Sequence, residues 1–384
     1  ADSLESLTTS LGVAILLWVW ASCGASHAAV LATALSYAFL HEFWRPPMAI
    51  RVGINGFGRI GRNSFRSMVK NHGEDIEIVA INELAPVETN AHLLMYDSNY
   101  GRFPGTVEAG DASIVVNGSA IRCFSEPDPA KIPWDSVGAD IVLESTGFFT
   151  DATQAAGHRG GSVKKVIISA PASNEDVTVV LGVNESTYDA DAHHVISNAS
   201  CTTNCLAPVA KVLLDSFGIE SGVMTTVHAY TGEQRLQDMG HKDIRRARAA
   251  AANIIPTSTG AAKAISLVIP ELTGKLHGLA MRVPTTTVSI VDLVVTTSMP
   301  TSAEEVNKAL SQAADGPMSK VLDVCEEELV SSDFKGSEYS SIVDAPSTMV
   351  MGGNLVKVLS WYDNEWGYST RVGDLIEYIA GEGL

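Results

Sequence analysis

The strongest constraint on the fold lies in residues 49–82. AIRVGIN (49–55) is a short apolar run that closes on Gly56-Phe57-Gly58-Arg59-Ile60-Gly61, a G-x-G-x-x-G pattern. RIGRNSFRSMVKN (59–71) then carries Ile60, Phe65, Met68 and Val69 at helical spacing, and IEIVAIN (76–82) is a second apolar run. Strand, glycine turn, helix and strand within about 35 residues make a βαβ unit, which implies a parallel sheet. Glycines in that turn allow close backbone approach, and the helix N-terminus offers free N–H groups and a positive dipole end. Together they suit a pyrophosphate. Glu83 ends the second strand, about 20 residues past the last glycine, where an acid holds the adenosine ribose hydroxyls. A carboxylate there repels a 2′-phosphate and no Arg follows closely, so NAD is expected over NADP. From these residues alone, a βα turn without ligand and a solvated acid stay open.

Further strands are expected at 112–116, 139–146, 164–171, 177–183 and 193–200, and a helix at CTTNCLAPVAKVLLDSFG (201–218). The second half differs. GVMTTVHAY (222–230), LHGLAMRVP (276–284) and TTVSIVDLVVTTS (286–298) are Thr- and Val-rich and suit a mixed or antiparallel sheet. TSAEEVNKALSQAA (301–314) opens with a capping-box pattern, and the C-terminus reads as a helix. The natural break lies near residue 200. The expected architecture is α/β: a dinucleotide-binding domain over 48–200, a mixed-sheet domain over 201–363, and a C-terminal helix (364–384) returning to the first.

Charge narrows the function. Asp plus Glu number 44 against 26 Lys plus Arg, a net of −18, which argues against nucleic acid as a partner. Cys23, Cys123, Cys201, Cys205 and Cys325 are too few and too scattered for a disulfide framework, and suit a reducing compartment. Residues 7–40 hold no Asp, Glu, Lys or Arg and are long enough to span a bilayer. Residues 1–47 read as a signal anchor or organelle-targeting leader, as a buried helix, or as translated sequence upstream of Met48. The acidic ADSLES flank favours the last. A cytoplasmic chain is expected, with organelle targeting or membrane anchoring through 1–47 as the alternatives.

Ser197-Asn198-Ala199-Ser200-Cys201-Thr202-Thr203-Asn204-Cys205 stands between a strand and an apolar helix. Cys201 therefore falls at a helix N-terminus, where the dipole lowers a thiol pKa. His228, near the end of a strand, is the candidate base. Cys205, one turn on, reads as a small buried residue, and no further ligands stand near to complete a metal site, so no metal is expected.

Several runs now coincide: INGFGRIGR (54–62), ESTGFF (144–149), KKVIISAP (164–171), SNASCTTNCLAP (197–208), HAYTGEQR (228–235), RRARAAAANIIPTSTGAAKA (245–264), AMRVPT (280–285) and WYDNEWGYS (361–369). In this order, residues 49–384 resemble the phosphorylating glyceraldehyde-3-phosphate dehydrogenase family. The resemblance implies that Cys201 attacks an aldehyde carbon and that His228 is a base tuned near neutral pH. It implies a thioester on Cys201 after hydride transfer, released by inorganic phosphate. It maps the triose C3-phosphate to Thr231 and Arg282. It maps inorganic phosphate to Ser200, Thr202, Thr259 and Gly260, with Arg246 nearby. It places the cofactor on Gly56–Gly61, Glu83, Ser145, Thr146 and Gly147, with Asn364 on the carboxamide. It also implies a homotetramer, with the loop of residues 229–254 at a subunit interface. Two alternatives follow from departures. Asn82-Glu83-Leu84-Ala85 also resembles the erythrose-4-phosphate dehydrogenase branch. Gly240 stands where dual-cofactor plastid members often carry Ser, so NADP use is possible.

Overall fold

A computed structural model describes residues 49–384; the apolar stretch 7–40 lies outside the described residues. Among the described residues no helix is long and apolar enough to cross a membrane. They form nine strands of a first sheet: β1 (Ile50–Asn55), β2 (Ile76–Asn82), β3 (Val107–Gly110), β4 (Ser113–Val116), β5 (Ser119–Phe124), β6 (Ile141–Glu144), β7 (Lys165–Ile168), β8 (Val177–Thr178) and β9 (Val195–Ser197). The order is β8-β9-β7-β6-β1-β2-β5-β4-β3. Strands from β8 to β5 pair parallel, and β5, β4 and β3 form an antiparallel edge. Central strands read as unbroken apolar runs because helices cover both faces of such a sheet.

The helices of two turns or more are α1 (Arg59–Asn71), α2 (Val87–Met95), α3 (Cys201–Phe217), α4 (Ala261–Val268), α5 (Ala303–Ala314) and α6 (Trp366–Glu382). The second sheet holds β10 (Ser221–Ala229), β11 (Ile255–Ser258), β12 (Leu276–Val283), β13 (Ser289–Thr296), β14 (Leu322–Cys325), β15 (Ser341–Asp344), β16 (Met349–Met351) and β17 (Leu355–Tyr362). Its order is β11-β12-β10-β13-β17-β15-β14, with β16 on β17. The sheet is mixed as expected: β10 pairs parallel to β12 and antiparallel to β13. Leu206, Val209 and Leu213 of α3 pack with Met224, Leu293 and Val358 in its core. The capping box forms at Ser302 and Glu305, which fixes the start of α5.

Expectation and structure differ at 177–183. Only Val177–Thr178 is strand, because the Asn184 side chain accepts from the Val180 N–H and donates to the Thr178 carbonyl, folding the run into a turn. Of the β3–β4–β5 meander only β4 was expected, at 112–116; β3, β5 and the helices α2 and α4 were not. Their segments are short or carry no clear period.

α6 returns to the first sheet, as expected. Tyr368, Val372, Leu375, Ile376 and Ile379 join one apolar cluster with Phe65 and Met68 of α1. A polar clamp reinforces it. His72 sits between Asp374 (Nε2–Oδ1 2.9 Å) and Glu377 (Nδ1–Oε2 3.3 Å), and these carboxylates raise its pKa above 6.5. A raised pKa means that the clamp contributes fully below about pH 6.5 and fades as pH climbs through the folded value. His72→Gln should therefore lower the melting temperature at pH 6 and approach wild type by pH 9. A constant difference across that range would refute the clamp.

Candidate active site

Strands β2 and β6 flank β1 on opposite sides, so the loops leaving their carboxyl ends diverge and open a crevice, the usual ligand position in such sheets. A cleft of about 440 Å³ lies there, lined among others by Gly56, Gly58, Glu83, Ser145, Thr146 and Phe148. The three glycines have separate reasons. Gly56 has φ +87° and lies against the backbone of Thr146. A Cβ on Gly61 would stand 2.1 Å from the Gly56 carbonyl oxygen. A Cβ on Gly58 would meet nothing within 4 Å, so the space above this turn is open to a ligand. The first helical bond of α1 runs from the Arg62 N–H to the Gly58 carbonyl, which leaves the N–H groups of Arg59, Ile60 and Gly61 without a helical acceptor.

Gly61→Ala should cost about 1–3 kcal/mol of stability through overpacking. Gly58→Ala should cost under about 1 kcal/mol yet weaken dinucleotide binding. Equal losses of stability in urea unfolding would refute this division.

Three residues enter the cradle differently from the sequence expectation. Phe57 buries its ring edge-on to Phe65, and Ile60 packs on the same core. Arg59 spends its guanidinium on Asp97 and Glu365, which join the start of α1 to the start of α6. Only their backbone is left for the cleft. The Phe57 N–H donates to Glu83 Oε2 (2.8 Å) and the Leu84 N–H to Oε1 (2.8 Å), so the carboxylate is held at the crevice rim. Ser145 donates to the Gly56 carbonyl (2.7 Å), tying the β6 turn to the β1 turn, and Gly147 is exposed beyond it.

A buried chain supports this floor that the sequence did not reveal. Trp134 Nε1 donates to His158 Nδ1 (3.2 Å), so His158 Nε2 carries the proton and donates to Glu144 Oε2 (2.9 Å). Asn55 also donates to Glu144, and Thr146 donates to it through both N–H and hydroxyl. A buried carboxylate is tolerable only when so satisfied. The signal was faint because residues 55, 134, 144 and 158 are far apart in the chain.

Cys201 is the first residue of α3, beyond β9. Ala199 takes φ +52°, rare for a residue with a Cβ, and Ser200 caps the helix by accepting from the Thr203 N–H (3.0 Å). That bend presents Cys201 Sγ 3.5 Å from Nε2 of His228, which lies near the end of β10. His228 Nδ1 lies 2.6 Å from the Ala229 carbonyl and 2.8 Å from Arg282 Nη1; the carbonyl can only accept, which assigns the ring the tautomer with Nδ1–H donating to it. Nε2 is therefore the lone pair facing the thiol.

Two electrostatic expectations are corrected. Burial, aided by the Arg282 guanidinium, pushes His228 down to about 3, so the imidazole is a neutral acceptor rather than a base poised near neutrality. Burial also pushes the Cys201 thiol up, against the pull of Arg282. Desolvation outweighs the helix-terminus effect, and the resting pair is a thiol beside a neutral imidazole.

Strand register sets the next neighbour. Arg282 on β12 pairs with His228 on β10, and its guanidinium donates to the Ala229 carbonyl (3.0 Å) and to Thr231 Oγ1 (3.3 Å). Arg246 donates to Thr257 Oγ1 (2.9 Å) and the Ser258 carbonyl (3.3 Å), beside Thr259 and Gly260 at the start of α4. Thr202 departs from expectation. It is buried and its hydroxyl bonds Tyr362 (2.9 Å), which also bonds Thr226 (2.8 Å). The Ser200 hydroxyl is likewise engaged as a cap. Asn364 is brought to the same strand: the Ala229 N–H donates to Ser289 Oγ, which donates to Asn364 Oδ1 (2.8 Å). Tyr362 and Ser289 were not legible as site residues, since their roles come from strand pairing.

Among the described residues the only His/Cys/Asp/Glu grouping with metal-like spacing is His72, Asp374 and Glu377, outside this site.

Comparison with known proteins gives the family of the chain. The profile described as "Glyceraldehyde 3-phosphate dehydrogenase, NAD binding domain" matches residues 50–152, and that described as "Glyceraldehyde 3-phosphate dehydrogenase, C-terminal domain" matches 200–364. The chain is 59% identical over 337 residues to "Glyceraldehyde-3-phosphate dehydrogenase" of Priestia megaterium, covering 88% of this chain and 100% of that one. It is 60% identical, with the same coverage, to "Glyceraldehyde-3-phosphate dehydrogenase 1" of Bacillus subtilis and to the enzyme of Geobacillus stearothermophilus. The glycine cradle, the thiol–imidazole pair and the two arginines thus occur in a chain that belongs to the glyceraldehyde-3-phosphate dehydrogenase family.

Proposed function

We propose that this oxidoreductase converts glyceraldehyde 3-phosphate and inorganic phosphate to 1,3-bisphosphoglycerate. The observation that carries the reading is Cys201 Sγ 3.5 Å from His228 Nε2, with Arg282 Nη1 2.8 Å from Nδ1 on the imidazole's other side and 3.3 Å from Thr231 Oγ1. Arg282 and Thr231 hold the C3-phosphate and so place the aldehyde carbon over Cys201. The sulfur adds to that carbon while His228 Nε2 takes the thiol proton and passes it to the new alkoxide oxygen, giving a thiohemiacetal and leaving the imidazole neutral again. His228 then removes the hydroxyl proton as hydride leaves, and a thioester stays on Cys201. Inorganic phosphate, held near Arg246 and Thr259, attacks the thioester carbon. The acyl phosphate departs and the sulfur recovers its proton from the imidazole.

The cradle fits a dinucleotide, because Gly58 opens onto free space beside unpaired N–H groups and Glu83 stands at the rim. Gly56–Gly61 would hold the pyrophosphate, Glu83 the adenosine ribose and Asn364 the carboxamide. When bound, the nicotinamide supplies the hydride acceptor. The Glu83 carboxylate favours NAD over NADP by charge repulsion. Assay of the purified chain with glyceraldehyde 3-phosphate, phosphate and NAD should give NADH. A preference for erythrose 4-phosphate without need of phosphate would refute the assignment, and faster turnover with NADP would refute the cofactor choice.

Leu236, Met239, Ile244 and Ile254 are exposed on and beside the loop after β10, which supports a homotetramer built through it. Light scattering should return a tetramer mass; a monomer would refute it.

A further inference from the structure

Glu233 occupies the anion site from within. Its Oε1 accepts from Arg246 Nη1 (2.7 Å), lies 3.3 Å from Arg282 Nη2, and lies 3.5 Å from Thr231 Oγ1. Three donors from three separate places in the chain therefore converge on one carboxylate oxygen, the pattern by which an oxyanion is bound. The arginines are largely buried, with side chains 15% and 12% exposed, whereas the Glu233 side chain is 45% exposed. The cations are fixed and the carboxylate is the part able to leave. Gly232, just before it, has open space where a Cβ would lie. The turn itself is closed by other bonds, Gln234 N–H to the Thr231 carbonyl (3.0 Å) and Thr231 N–H to Gln234 Oε1 (3.2 Å). Glu233 can thus swing outward without undoing the loop.

We infer that Glu233 is an internal stand-in for phosphate, which neutralises Arg246 and Arg282 when the site is empty and must be displaced for phosphate to bind. This rests on the assignment of Thr231, Arg246 and Arg282 to phosphate recognition. A phosphate carries up to two charges and more acceptor oxygens than the carboxylate, so it wins the exchange at sufficient concentration. The consequence is a lowered apparent phosphate affinity in return for a site that holds no uncompensated buried cations. It also gives selectivity: a singly charged carboxylate metabolite gains little over the resident group.

The test is calorimetric titration of the full chain with inorganic phosphate, without substrate, in wild type, Glu233→Gln and Glu233→Asp. Glu233→Gln removes the charge, and binding should tighten by at least about 3-fold, the scale of one partly exposed ion pair. Glu233→Asp keeps the charge on a shorter arm that loses the shared contact, and should also tighten binding. Unchanged or weaker binding in Glu233→Gln overturns the inference. So does wild-type affinity in Glu233→Asp, which would make the effect one of general charge. If wild type and both variants all fail to bind phosphate, the phosphate assignment falls and the inference with it. Phosphate binding in wild type with no response to either substitution removes the inference alone.

Discussion

Replacing Cys201 by Ser is expected to cut turnover of glyceraldehyde 3-phosphate by at least about 10³-fold, since loss of a covalent nucleophile removes the pathway. A hydroxyl at the first turn of α3 faces the same neutral imidazole and the same Arg282 charge as the thiol. Its proton is far harder to remove, and neither the helix terminus nor the guanidinium compensates for that. The fold should survive, because Ser is close to Cys in size, Cys201 packs only at the edge of the apolar clusters, and the Ser200 cap does not involve Sγ. NADH production under saturating substrate is the activity measure, with dinucleotide binding by fluorescence as the control. Turnover within 10-fold of wild type, with binding intact, would show that Cys201 is not the nucleophile.

His228→Asn should lower turnover by about 10²–10⁴-fold, the range of a lost general base. Alkylation of Cys201 by iodoacetamide at pH 7 should slow with it, because Nε2 is the acceptor aligned with the thiol in the described site. Equal alkylation rates would separate His228 from the thiol. A second signature concerns stability. The His228 pKa is held down to about 3 against an ordinary 6.5, so the unfolded chain takes up this proton first as pH falls. Wild type therefore loses stability between about pH 6.5 and 3 on this account, and the variant does not. The wild-type advantage in melting temperature should shrink on acidification. This runs opposite to His72, whose carboxylate partners make its contribution largest at low pH. The two substitutions give curves of opposite slope, a pattern that general destabilisation does not produce.

Much of the fold was legible because its periods are local. β1, α1 and β2 were readable to within a residue, since a βαβ unit carries its turn chemistry and both periodicities in about 35 residues. The capping box of α5 and the apolar stripe of α6 were local in the same way. The run at 177–183 misled because apolar residues can be buried in a turn as well as in a strand. Only the Asn184 side chain, reaching back to residues 178 and 180, decides between them.

The candidate site divides along the same line. Local sequence singled out the candidate residues: a cysteine after a strand and before a helix, glycines at a βα turn, an acid at the next strand end. It also set the order of these groups along the chain. What the groups do to one another was decided by the tertiary structure. The β10–β12 register sets Arg282 beside His228, strand pairing lodges Tyr362 between Thr202 and Thr226, and Glu233 folds back onto the arginines. The helix terminus by itself favours an ionised thiol, but its burial favours the neutral form and prevails. The physical reason is that helix dipoles and glycine turns act within a few residues of themselves. Desolvation and charge pairing depend on every atom packed around a group, and most of those atoms come from distant parts of the chain.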